Sequence, residues 1–198
     1  MYVAVSELRS YLGTTGQTED AVLEESIEAA QDEIEHLCRG RRFEGSTGTR
    51  YYRSGDIIRL EHNGRSGSVL WLGKDLLSIS TLTNGDETAI SSTGYWLEPR
   101  NSTTCYQYIR LRTSESWIFN TDGEVSIAGT WGYSTAPPPA MKNLTKEWAS
   151  YLYRMRDNPV YDVVATPELG TITVPKGFPV HALKVLTKGG FVRTFGVY

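Results

Sequence analysis

The spacing of apolar residues changes twice along the chain. Leu23, Ile27, Ala30, Ile34 and Leu37 recur every three or four positions, as in a helix with one buried stripe, and Glu24, Glu25, Glu28, Asp32, Glu33 and Glu35 occupy its other faces. Thr18 is placed to cap this helix, Glu19 and Asp20 suit its first turn, and Arg39-Gly40 closes it. A shorter helix precedes it, opened by Ser6 as N-cap and closed by Leu12-Gly13. From about Thr47 short segments rich in β-branched and aromatic residues take over. Residues 49–53, 57–61, 68–72, 95–98, 106–112 and 124–131 read as strands. Residues 79–83 and 87–90 flank Asn84-Gly85, the pair that suits a type I′ hairpin turn. Strands at this spacing predict a small antiparallel sandwich or barrel. Pro137-Pro138-Pro139 ends the strands and starts a helix over 140–156, with Leu144, Trp148, Tyr151, Leu152 and Met155 as its stripe. Residues 160–164 and 171–174 read as short strands or an extended arm, and 180–186 as a last helix closed by Lys188-Gly189-Gly190. Residues 191–198 form a short aromatic tail.

A helix with one apolar stripe must bury it against a neighbour. The order helix–helix, strands, helix–helix therefore predicts an α+β protein. Residues 1–47 and 134–188 make one discontinuous bundle of about four helices, 48–133 an inserted antiparallel β-rich module, and 189–198 a C-terminal tail.

Charge sharpens this division. The 198 residues carry a formal net charge of −3. Residues 1–47 hold 4 basic and 10 acidic side chains, 48–133 hold 8 and 9, and 134–198 hold 8 and 4. The two ends are thus electrostatically complementary. They pack on each other within a chain, or an acidic face of one copy meets a basic face of the next, or both are solvated helix faces. The chain lacks the overall basic excess usual in nucleic-acid binders. No apolar run reaches the roughly 20 residues of a membrane helix, and the N-terminus does not read as a secretory signal. Cys38 and Cys105 show no disulfide framework and fit a reducing compartment.

Catalytic chemistry finds no support. His36, His62 and His181 lie in unrelated segments, and no CxxC, HExxH, EF-hand, phosphate-loop or GxSxG pattern occurs. No catalytic, cofactor-binding or metal-binding residue is assigned, and no cofactor is expected. The aromatics Tyr51, Tyr52, Trp71, Tyr95, Trp96, Tyr106, Tyr108, Trp117 and Trp131 read chiefly as core of the β-module. Exposed ones among them, with Arg110 and Arg112 beside Tyr106 and Tyr108, leave open a module that binds a glycan or another polymer.

The order of segments resembles the head–tail connector proteins (head-completion adaptors) of long-tailed phages. "YVAVSELRSYLG" and an acidic helix ending "CRGRRF" carry the likeness through Leu8, Tyr11, Leu12, Leu23, Ile27, Gly40, Arg41, Arg42 and Phe43. "LLSISTLTNGDETAISSTGYWLEPRN", "YIRLR" and "EVSIAGTWGYS" are similar to the β-rich insertion of some members, and "WASYLYRMRDN" and "VPKGFPVHALKVL" to the closing helices. The resemblance implies a non-enzymatic virion protein, made in the host cytoplasm, that forms a homo-oligomeric ring of twelve subunits beneath the portal. DNA would pass through the ring without specific binding, and the distal face would receive the next head-completion or tail protein, with no membrane involved. On this reading the tail residues Phe191, Val192, Phe195 and Tyr198 are portal-docking candidates, because aromatics anchor interfaces. Glu28, Asp32 and Glu35, facing Arg154 and Arg156 of a neighbouring copy, are subunit-interface candidates.

Overall fold

The computed structural model describes residues 1–62, 65–119, 124–157, 163–166, 170–173 and 178–193. It is α+β, and the chain divides into two compact units, one comprising Met1–Gly40 with Pro137–Arg193 and the other containing Arg41–Ala136.

In the first unit, α1 (Val5–Leu12), α2 (Asp20–Leu37) and α3 (Pro139–Asp157) pack on one another. The stripe of α2 is buried at Leu23, Ile27, Ala30 and Ile34, while Leu37 is half-buried. Each fully buried aliphatic side chain of this kind contributes about 1.5–3 kcal/mol. From α3, Met141, Leu144, Trp148 and Ala149 are buried, but Tyr151, Leu152 and Met155 only partly. Trp148 spans two helices, its Nε1 donating to Glu33 at 2.5 Å while its ring stacks on Tyr151 at 4.8 Å. Strands β7 (Val163–Thr166) and β8 (Gly170–Thr173) pair antiparallel, and α4 (Val180–Lys188) buries Ala182 and Leu186.

Both expected N-caps are displaced. α1 starts after Ala4, and Ser6 lies inside it; the Glu7 carboxylate accepts the Ala4 N–H at 2.9 Å, which holds the Glu7 pKa below its ordinary 4.5. α2 starts at Asp20 after Glu19, not Thr18, and Asp20 pairs with Arg9 of α1. The C-terminal signals hold. Gly13 closes α1 at φ 74°, and the chain leaves α2 through Arg39 and Gly40 at φ 61° and 69°.

Among the described residues, the second unit holds one branched six-stranded antiparallel sheet. Its strands are β1 (Ser46–Tyr52), β2 (Ile57–His62), β3 (Arg65–Thr83), β4 (Tyr95–Glu98), β5 (Tyr106–Leu111) and β6 (Val125–Trp131), in the order β1-β6-β3-β5-β4 with β2 also on β3. The segments expected as separate strands at 68–72 and 79–83 are one strand. β3 runs through Gly73 at φ 61°, and its register on β5 shifts between Trp71 and Leu76. Before the shift β3 pairs with β2, and after it with β6. This bend wraps the sheet around Tyr52, Leu70, Leu76, Leu82, Ile109, Ile127 and Trp131.

Asn84-Gly85 does not make a two-residue hairpin. The left-handed residue is Glu87 at φ 66°, the loop closes through Asn84 N–H to Thr88 O at 2.8 Å, and the return is one bridge, Thr83 to Ala89. Asn84 is recruited elsewhere, as described below.

Candidate functional site

Glu28 and Asp32 lie one turn apart on α2 and are exposed. Glu35, a further turn along, is half-buried and accepts the Tyr2 hydroxyl at 2.5 Å and Gln31 Nε2 at 3.3 Å. On α3, Arg154 is exposed and forms no ion pair with a described residue. Arg156 donates to Glu19 at 3.1 Å and covers the ring of Tyr153 at 5.1 Å, and the Tyr153 hydroxyl bonds the same carboxylate. Arg156 is therefore engaged within its own chain, and so is Glu35. Glu28, Asp32 and Arg154 present their charges to solvent.

The root of the tail is built into the end of α4. The N–H groups of Phe191 and Val192 both reach Leu186 O, at 3.1 and 3.4 Å. A Cβ on Gly189 would stand 2.6 Å from both the Val185 carbonyl oxygen and the Phe191 ring, and the backbone contact makes a glycine necessary there. Phe191 and Val192 are half-buried and Arg193 is buried. Phe195 and Tyr198 lie outside the described residues. Beside this root α4 leaves Val180, Leu183 and Val185 exposed, Val180 at 69%.

The β unit sorts its aromatics between core and surface. Tyr52, Tyr108 and Trp131 are buried, Tyr51 is 66% exposed, and Trp71, Tyr95, Trp96, Tyr106 and Trp117 are half-buried. Tyr52 donates to Leu72 O at 3.1 Å, and burial pushes its hydroxyl pKa above the ordinary 10. Arg110 faces Glu98 at 3.7 Å, an edge-strand ion pair. Arg112 and Arg100 both lie over the Trp96 ring, 5.0 and 4.6 Å from its centroid.

Arg112 also lines a pocket of about 540 Å³, together with Glu115, Ser116, Trp117, Phe119 and Ser68. Residues 112–119 have no regular structure, yet they are pinned. Buried Asn84 donates its Nδ2 to Ser116 O at 2.9 Å and accepts the Ile118 N–H at 3.0 Å, while Gly85 N–H reaches Ile118 O at 2.9 Å. Sequence reasoning singles out Trp117 and Arg112 but assigns Asn84 to a turn. The Asn-Gly signal is visible in the sequence; its cross-loop partners, more than thirty residues away, are not.

Among the described residues no group of three or more His, Cys, Asp or Glu could hold a metal ion, and no helix is long and apolar enough to cross a membrane. Neither Cys38 nor Cys105 is in a disulfide, and both are buried. Burial, with the Asp75 charge adding to it, pushes the Cys105 thiol up to about 11. Neither cysteine is expected to react with Ellman's reagent in the native protein at pH 8, and both in denaturant. Rapid labelling of Cys105 in the folded chain would contradict its burial.

This architecture, a helical unit interrupted by a branched antiparallel sheet, has solved counterparts. The chain is similar to one from the neck of an empty gene transfer agent (GTA) particle computed with C6 symmetry, with TM-score 0.55, 20% identity and coverage of 90% of this chain and 94% of that one. A chain from the neck of the native GTA particle computed with C12 symmetry gives 0.54, 18%, 90% and 93%. A chain from the virion of the native GTA particle gives 0.51, 20%, 90% and 94%. At this identity the likeness is one of fold, and it runs nearly end to end in both chains. No family model matches the chain, and no curated protein matches it.

Proposed function

We propose that the chain is a structural, non-catalytic connector of a phage-like particle. It assembles as a homo-oligomeric ring at the head–tail junction, beneath the portal, extends the DNA channel and docks the next head-completion or tail protein. The observation that carries this reading is the fold shared over 90% of the chain with a neck chain computed with C12 symmetry. Two physical features support it. A head-to-tail ring needs two different, complementary faces on each subunit, and α2 offers exposed acids where α3 offers exposed Arg154. A conduit should also not grip phosphates, which a net charge of −3 favours.

Electron microscopy of the chain alone and mixed with the portal rings of its own particle tests the proposal. Rings with a central hole in either sample support it; monomers in both overturn it. Within this reading Arg154 meets Glu28 or Asp32 of the adjacent copy. Arg154→Glu should raise the concentration needed for ring assembly roughly tenfold, since it sets like charges together. Mass photometry of the variant reads this, and unchanged assembly rejects the pairing.

The tail beyond Arg193 docks on the portal, with Phe195 and Tyr198 as anchors and Phe191 and Val192 as the root that holds it to α4. Deleting 194–198 leaves that root intact and should weaken portal binding roughly 100-fold or more, the scale of losing two aromatic anchors. Unchanged binding in a pull-down or interferometry assay sinks the docking idea.

A further inference from the structure

The pocket of the β unit plays no part in the connector reading, and its chemistry is specific. We propose that it is a binding site for a neutral saccharide. Its volume, about 540 Å³, falls within the range of small-ligand pockets. Trp117 and Phe119 supply aromatic surface for the C–H face of a sugar ring. Arg112 can only donate hydrogen bonds, an ionised Glu115 can only accept them, and the Ser68 and Ser116 hydroxyls do either. Neighbouring hydroxyls of a pyranose, each donor and acceptor at once, satisfy such a mixed wall. An anionic ligand would gain Arg112 but meet the Glu115 carboxylate.

A further observation points the same way. The loop bearing Trp117 is held in place beforehand by Asn84, which lowers the ordering cost of binding. Polyanions fit poorly, because residues 48–133 hold 8 basic against 9 acidic side chains.

The test is titration of the full chain with cellohexaose, maltohexaose and chitohexaose, followed by tryptophan emission and calorimetry. At least one should bind saturably at millimolar concentration or below. Trp117→Ala removes the aromatic surface, and Glu115→Gln removes the acceptor charge; each should weaken that binding roughly tenfold with unchanged circular dichroism. If Trp117→Ala does not fold, Glu115→Gln alone decides. No binding by any of the three sugars overturns the proposal. So does binding unaffected by the folded variants, or binding of oligothymidylate or an unstructured peptide at this loop with none of the sugars. Ring assembly is not a readout here, so the connector reading can fail or stand separately.

Discussion

Gly129→Ala is expected to unfold the β unit under conditions where the parent chain is stable. Gly129 sits in β6 between β1 and β3, and a Cβ there would lie 2.2 Å from the Ser78 carbonyl oxygen and 3.3 Å from Ile79 Cα. Both neighbours are backbone, so no side-chain rotation relieves the clash. The closeness arises in β3, whose pairing with β6 shifts register between Leu76 and Ser78 and again between Ile79 and Thr81. These irregularities bring the Ser78 carbonyl across the Gly129 Cα. Forcing atoms into a packed site costs about 1–3 kcal/mol when side chains can give way; here about 3 kcal/mol or more is expected. The melting midpoint of the unit should fall on the order of 10 °C. Gly48 lies directly opposite Gly129 on β1, yet a Cβ added to it would meet nothing within 4 Å. Gly48→Ala should therefore change stability by no more than about 0.5 kcal/mol. Thermal melts of the two variants side by side make the comparison, and equal effects would refute the close approach at Ser78.

That pair of glycines also shows where sequence reasoning stops. Both look alike in a β-rich stretch, and only the third strand distinguishes them. What sequence does encode is local period and local termination. The α2 stripe at Leu23, Ile27, Ala30 and Ile34 is buried as its spacing requires, Gly13 ends α1, and residues 95–98 form β4 with the expected bounds. The clearest failure comes from competition by a distant partner. Asn84 is drawn from its turn by bonds to Ser116 and Ile118. Strand β3 looks like two strands because Gly73 reads as a break, whereas in the sheet it serves as a bend. The candidate sites follow the same rule. The acidic face of α2 is legible from helical spacing, but that Arg156 and Glu35 find partners inside their own chain depends on how α1, α2 and α3 meet. The pocket is legible in the sequence only as a scatter of aromatics, because it takes Asn84 to bring residues 112–119 into place.

Asp75→Ala is the other substitution with a large expected effect, for an electrostatic reason. Arg41 Nε meets Asp75 Oδ2 at 2.9 Å and Nη2 meets Oδ1 at 3.4 Å, with the two side chains only 5% and 1% exposed. The guanidinium also lies 4.9 Å from the Tyr133 ring centroid. Arg41 opens the β unit, and the residues that leave it are fastened at the same place. Gly132 N–H donates to Asp75 O at 2.9 Å, Tyr133 N–H to Arg42 O at 2.8 Å, and the Ser134 hydroxyl to Phe43 O at 3.0 Å. The ion pair thus ties the entering and departing segments to the middle of β3. Removing one partner strands a buried charge, which costs about 3–5 kcal/mol, whereas replacing both with apolar residues of similar volume is often close to neutral. Asp75→Ala should lower the urea midpoint accordingly, and Arg41→Met combined with Asp75→Leu should recover more than half of that loss. Hydrogen exchange should locate the damage in β1, β6 and the centre of β3. If the double variant is as unstable as the single one, charge compensation is not what the pair supplies, and the stability of this junction rests on the shape of the arginine beneath Tyr133.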